Sequence, residues 1–180
     1  MLVKACGIKT IEEARWAVEL GYDAIGVMRY QHSHRYVDEE TARAIINSVK
    51  NEILTVAVSL RFSEVQSLLD IADLIQIYET AEMPNLILAG TEPPASSLYK
   101  YFLFDASRGS GGKEKFPEWI KEYKSRLIIA GGLTYENVAS VIKTFEPAGV
   151  DVSSGLESER GKKDYNLMKN FIREARNAVS

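Results

Sequence analysis

Eight short apolar runs, each separated from the next by a more polar stretch, constrain this chain more than any other feature. The runs fall near residues 2–6, 23–28, 53–59, 73–78, 85–89, 101–105, 126–130 and 149–152. They are rich in Val, Ile, Leu and aromatic residues and scarcely alternate with polar ones, as parallel strands buried on both faces do. Such strands need helices over them. The pattern therefore selects an α/β architecture, either a closed (β/α)8 barrel or an open doubly wound sheet.

Most intervening segments read as amphipathic helices. Thr10 with Glu13 three residues on is a capping box, and Gly21 closes the helix it opens. Asp38, Ser63, Thr134 and Asp164 are expected to start four more. Eight units in 180 residues are tight beside the about 250 typical of such a barrel. The compression falls in 79–100, where Pro84, Pro93 and Pro94 leave room only for shortened crossovers. No linker divides the chain, so residues 1–180 read as one domain.

Composition narrows the function classes. A net charge of −3 with mixed signs offers no basic footprint for nucleic acid or an anionic membrane. No apolar run approaches membrane-spanning length. One cysteine excludes an internal disulfide and fits a reducing cytoplasm. The start, Met1 to Cys6, is too short and too quickly polar for a signal peptide, so a cytoplasmic location is expected.

In a barrel, chemistry collects where strands end. Two Gly- or Ser-rich turns follow late strands: Ala130-Gly131-Gly132 and Ser153-Ser154-Gly155. Each is expected to lead into a helix, which would place backbone N–H groups and a helix dipole around an anion. A phosphorylated small molecule is the ligand this suits. Gly109-Ser110-Gly111-Gly112 is a third such segment and could be merely a connector. Asp105 ends an apolar strand, where a carboxylate is costly to bury unless paired or protonated. It could also cap a loop amide. Cys6, against Gly7 at the mouth end of the first strand, could simply pack, but its place favours a role. Lys4 shares its strand face and reads as a buried, paired lysine, with Asp151 the partner. His32 and His34 flank Ser33 and read as solvated loop residues, since nothing supplies further ligands at metal spacing. No metal is expected.

With these residues in view, the chain resembles the phosphoribosylanthranilate isomerase family of tryptophan biosynthesis. The similarity rests on Val3-Lys4-Ala5-Cys6-Gly7-Ile8, Ser33-His34-Arg35-Tyr36-Val37, Phe104-Asp105 with Gly109-Ser110-Gly111-Gly112-Lys113, Ala130-Gly131-Gly132-Leu133 with Glu136-Asn137-Val138, and Gly149 to Glu157. These run end to end in the family's order. The resemblance implies a (β/α)8 TIM barrel that converts N-(5-phosphoribosyl)anthranilate to 1-(2-carboxyphenylamino)-1-deoxyribulose 5-phosphate, an Amadori rearrangement needing neither cofactor nor metal. It implies Cys6 as general base, Asp105 as general acid and Arg35 as holder of the anthranilate group. For the phosphate it implies Gly131, Gly132, Ser153, Ser154 and Gly155, with Gly111 and Gly112. The family includes monomers and dimers, and Tyr30, Phe62 and Tyr99, read as dispersed surface hydrophobics, do not choose between them.

The chain departs from the family at Lys9, at Ser59-Leu60-Arg61-Phe62 after the third strand, and at Gln76-Ile77-Tyr78-Glu79 after the fourth. Tyr78 stands where the family usually has histidine. Two other readings compete: a non-catalytic phosphosugar-binding barrel, and an aminoaldose isomerase of the histidine pathway. That second family uses an aspartate where this chain has Cys6. Lys4 leaves an aldolase possible on paper, which borohydride trapping would expose.

Overall fold

The computed structural model describes residues 1–107 and 116–179. Eight parallel strands close into a barrel in sequence order: β1 (Leu2–Cys6), β2 (Ala24–Met28), β3 (Leu54–Val58), β4 (Leu74–Ile77), β5 (Leu86–Gly90), β6 (Tyr101–Asp105), β7 (Leu127–Ala130) and β8 (Gly149–Val152). The last pairs back to the first, with Lys4 beside Asp151. Closure leaves these eight strands without an edge and decides between the two architectures left open by the hydrophobic pattern.

Strand parity sorts the side chains into two cores. Cys6, Val56, Leu74, Ile87, Leu103 and Ile128 fill the barrel, with Ala24 and Ala89 among them. Their neighbours along the strands, such as Val3, Ala5, Ile25, Phe102 and Val150, face the outer shell. On the outer side of β6, Trp119 lies 6.1 Å from the Phe102 ring and 5.6 Å from that of Phe104.

Among the described residues the shell holds four helices of eight or more residues: α1 (Ile11–Leu20), α2 (Glu39–Val49), α3 (Val138–Phe145) and α4 (Tyr165–Asn177). Three start as the sequence predicts. The Thr10, Asp38 and Asp164 side chains accept from the backbone N–H of Glu13, Thr41 and Leu167. Each such cap contributes about 1 kcal/mol. Glu13 departs from the capping-box expectation. Its Oε2 accepts from the Lys9 N–H at 2.7 Å and its Oε1 from the Lys163 N–H at 3.1 Å, so it ties Lys163 to the start of α1.

Three expectations are corrected. Ser63 opens no α-helix: the third crossover is two single 3-10 turns, Phe62–Glu64 and Gln66–Leu68, because Ser59 and Arg61 engage Glu64 locally. Thr134 lies in a turn in which its N–H donates to Asn137 Oδ1, and α3 begins four residues later. Tyr99 is buried, with the Arg126 guanidinium 4.4 Å above its ring. The compressed region behaves as expected, since no helix separates β4 from β5 or β5 from β6.

Candidate active site

At the C-terminal mouth, one cavity is lined by Cys6 from β1, Met28 from β2, Gln76 and Tyr78 from the end of β4, and Asp105 from β6. Arg35, Asp151, and the turns after β7 and β8 complete it. Residues nearly the whole chain length apart thus meet because parallel strands all end at one face.

The floor carries buried charge. Lys4, fully buried, donates from Nζ to Asp151 Oδ1 at 2.7 Å and to Gln76 Oε1 at 2.9 Å. The pairing of Lys4 with Asp151 foreseen from strand parity is therefore present. Gly26, across from Cys6 in the β1–β2 register, makes room. A β-carbon there would stand 3.0 Å from Cys6 Sγ and 3.1 Å from Lys4 Nζ. Burial alone would depress the Lys4 pKa, but Asp151 and Cys6 hold it up. Burial and the nearby Asp151 push the Cys6 thiol up, and Lys4 with Lys163 opposes them. Asp151 is likewise raised by burial, with Lys4 pulling the other way.

Asp105 is held by three donors. Tyr78 Oη donates to Oδ2 at 2.6 Å, while the Ser107 hydroxyl and N–H donate to Oδ1 at 2.6 and 3.0 Å. Burial and Asp105 push the Tyr78 phenol far above its ordinary range, so it stays protonated and keeps donating. The loop-capping alternative for Asp105 is realised on Oδ1, yet the carboxylate still lines the cavity. Beyond Asp105 lies an apolar recess lined by Met28, Tyr30, Leu60 and Tyr78. Asp105 thus stands where a polar cavity and an apolar one join.

The opposite end is built from the two late turns. Gly131 has φ +92°, and a β-carbon on it would collide with the backbone nitrogens of Ala106 and Ser107. Gly131, Gly132, Ser153 and Ser154 line the cavity. Gly155 is not among the lining residues; a β-carbon on it would strike the Leu133 carbonyl. Gly111 and Gly112 lie outside the described residues. Neither turn runs straight into an α-helix. After β8 comes a 3-10 turn (Ser154–Leu156) and a hairpin of β9 (Glu157–Glu159) and β10 (Lys162–Lys163) before α4. Backbone N–H groups rather than a long helix dipole are what these turns can offer an anion.

Arg35 reaches the same mouth from the loop after β2, its stem lying over Gly7, where any side chain would strike Arg35 Cδ. Its guanidinium forks onto Glu157, Nε to Oε1 at 2.6 Å and Nη2 to Oε2 at 3.0 Å. Lys163 Nζ donates to Glu157 at 2.9 Å and to the Ser153 carbonyl at 3.1 Å. Burial works against ionised Glu157, but Arg35 and Lys163 prevail and bring it down to about 2. His32 is exposed as expected. His34 is half-buried against this cluster, and burial with the Arg35 charge lowers its pKa, so it stands neutral. Among the described residues no group of three His, Cys, Asp or Glu could hold a metal ion.

Sequence reasoning did not assign Gly26, Ser107, Tyr78 or Lys163 to the site. Tyr78 carried a signal, as an unusual residue one position beyond a strand end. Lys163 carried none, since its partners lie in other turns.

A family model described as N-(5'-phosphoribosyl)anthranilate isomerase matches residues 3–174. The protein of that name from Thermotoga maritima is 34% identical over 201 residues, covering 97% of this chain and 98% of the other. Among solved structures, TrpF from Jonesia denitrificans superposes with a TM-score of 0.85 at 27% identity, covering 99% of this chain and 98% of that one. A phosphoribosyl anthranilate isomerase in complex with reduced 1-(o-carboxyphenylamino)-1-deoxyribulose 5-phosphate matches with a TM-score of 0.71 at 30% identity, covering 98% of this chain and all of that one.

Proposed function

This chain belongs to the N-(5'-phosphoribosyl)anthranilate isomerase family, and from that premise we propose that Cys6 is its general base and Asp105 its general acid. The enzyme is an isomerase of tryptophan biosynthesis. The observation that carries the assignment is that Cys6 and Asp105 line one cavity whose far end is formed by Gly131, Gly132, Ser153 and Ser154.

As general acid, Asp105 delivers a proton to the ribose ring oxygen. The C1'–O bond breaks toward that oxygen and the nitrogen lone pair forms the C1'=N bond. Cys6 as thiolate then takes the C2' proton. The C–H electrons become a C1'=C2' double bond and the C=N electrons return to nitrogen, giving an enolamine that tautomerises to the ketone. An acid and a base with different environments in one mouth suit these two proton transfers.

Substrate orientation follows from the two joined cavities. The phosphate takes the glycine and serine turns, and the anthranilate ring takes the side toward Met28, Tyr30 and Leu60. The aminoribose then passes Asp105, which lines both cavities. Arg35 holds the ring carboxylate, because its planar fork matches that group. Lys4, spoken for by Asp151 and Gln76, has no part as a Schiff-base nucleophile.

The test follows the fluorescence of the anthranilate adduct as it is consumed. Losing a general acid costs about 10²- to 10⁴-fold, so Asp105→Asn should be nearly inactive while binding a product analogue about as well as wild type. A variant keeping more than about a tenth of the activity overturns the acid assignment, and a Cys6→Ser enzyme with wild-type rate and pH profile overturns the base.

A further inference from the structure

An arginine fork has two edges that can each take a carboxylate, the Nε/Nη2 edge and the Nη1/Nη2 edge. In Arg35 the first edge is occupied by Glu157, through Nε at 2.6 Å and Nη2 at 3.0 Å. Among the described residues Nη1 has no partner, and Arg35 lines the cavity. Only one edge is therefore open to a ligand.

Glu157 is itself fixed. Its side chain is 5% exposed, and it accepts from Lys163 Nζ at 2.9 Å and from the Gly161 N–H at 3.1 Å besides Arg35. Lys163, with a fully buried side chain, also donates to the carbonyl of Ser153, the first residue of the turn after β8. One buried carboxylate between two cations thus links the arginine to the turn that faces the opposite end of the ligand. Arg35 and Lys163 together outnumber Glu157 by one charge, which leaves the cluster net positive toward an anion.

We infer that Glu157 is a positioning residue: it clamps the Nε edge of Arg35 so that the Nη1/Nη2 edge is aimed at the substrate's ring carboxylate, and it thereby sets the enzyme's preference for a carboxylated aromatic ring. The inference rests on the reading of Arg35 as the carboxylate holder. Freed from the clamp, Arg35 has four rotatable bonds along its stem and must be ordered again each time the ligand binds.

The experiment measures binding of two stable amine analogues of the product by calorimetry, one bearing the ortho-carboxylate and one with a plain phenyl ring. Wild type should prefer the carboxylated ligand strongly. Glu157→Gln should weaken the carboxylated ligand by about tenfold or more and the phenyl ligand by less than about twofold, as expected when a polar group loses its partner. Equal losses for both ligands, or none, overturn the positioning role. Arg35→Met separates the two layers. If it leaves the preference for the carboxylate intact, the reading of Arg35 has failed. If it abolishes the preference while Glu157→Gln does not reduce it, only the inference has failed. Should Glu157→Gln not fold, Glu157→Asp, which keeps the charge but is one methylene short, is expected to reduce the same ratio, and an unchanged ratio overturns the inference.

Discussion

Tyr78 Oη stands 2.6 Å from Asp105 Oδ2 and donates its proton to it, joining the end of β4 to the end of β6 across the intervening strand. With Ser107 holding the other oxygen, the carboxylate of Asp105 has a single orientation at the junction of the two cavities. A general acid misplaced by an ångström can lose about 10²-fold.

Tyr78→Phe removes the hydroxyl and keeps the ring. The expected result is a fall in kcat of about tenfold with KM changed less than about threefold, in line with the loss of one orienting hydrogen bond. Steady-state kinetics on the two enzymes checks this. A larger change in KM than in kcat would mean that Tyr78 serves binding instead.

The Cys6 thiol lies above its ordinary value because burial and Asp151 outweigh Lys4. If thiolate is the base, kcat/KM should still be climbing with pH at the alkaline end of the neutral range. In Lys4→Met the counter-charge is gone and Asp151 acts unopposed, so the climb should move to still higher pH. The pH profile of kcat/KM for both enzymes checks the direction. A profile that moves downward or stays put contradicts the role of Lys4.

Lys4→Met also leaves Asp151 buried without its cation. Breaking such a pair from one side costs about 3–5 kcal/mol. Replacing both partners, as Lys4→Met with Asp151→Leu, should recover much of the loss. Urea unfolding monitored by circular dichroism distinguishes the single from the double variant.

Acid should loosen the arginine cluster in a defined window. The ordinary carboxyl value for Glu157 is 4.5 and the folded protein brings it down to about 2. Its contribution to stability is therefore complete above pH 4.5 and is lost as the pH falls toward 2. Over that window the unfolding midpoint of wild type should fall more steeply than that of Glu157→Gln. Parallel slopes would show that Glu157 does not carry the dependence.

Gly131→Ala should damage both fold and binding. The added methyl meets the backbone of Ala106 and Ser107 at a positive φ. The left-handed conformation alone costs about 1–2 kcal/mol, and moving either turn shifts the N–H groups offered to an anion. Weaker binding of inorganic phosphate together with a lower Tm is the expected pair of readouts.

Much of this was legible in the chain. The eight apolar runs with little alternation gave parallel strands buried on both faces, and the capping side chains of Thr10, Asp38 and Asp164 marked three helix starts. Strand parity brought Lys4 inward and named Asp151. Where local chemistry competed, reading failed: Glu64 drew Ser59 and Arg61 into 3-10 turns, and Asn137 took the N–H of Thr134.

By itself, the sequence determined which runs form the buried strands, on which strand face Lys4 and Cys6 lie, and that Cys6, Asp105 and the two late turns share strand ends, because these follow from a two-residue period and short-range caps. Only the tertiary structure decided that Tyr78 reaches Asp105 and that Glu157 grips Arg35 across 122 positions of chain. Those contacts depend on barrel closure and on where a late hairpin folds back, and neither is written in any local window of residues.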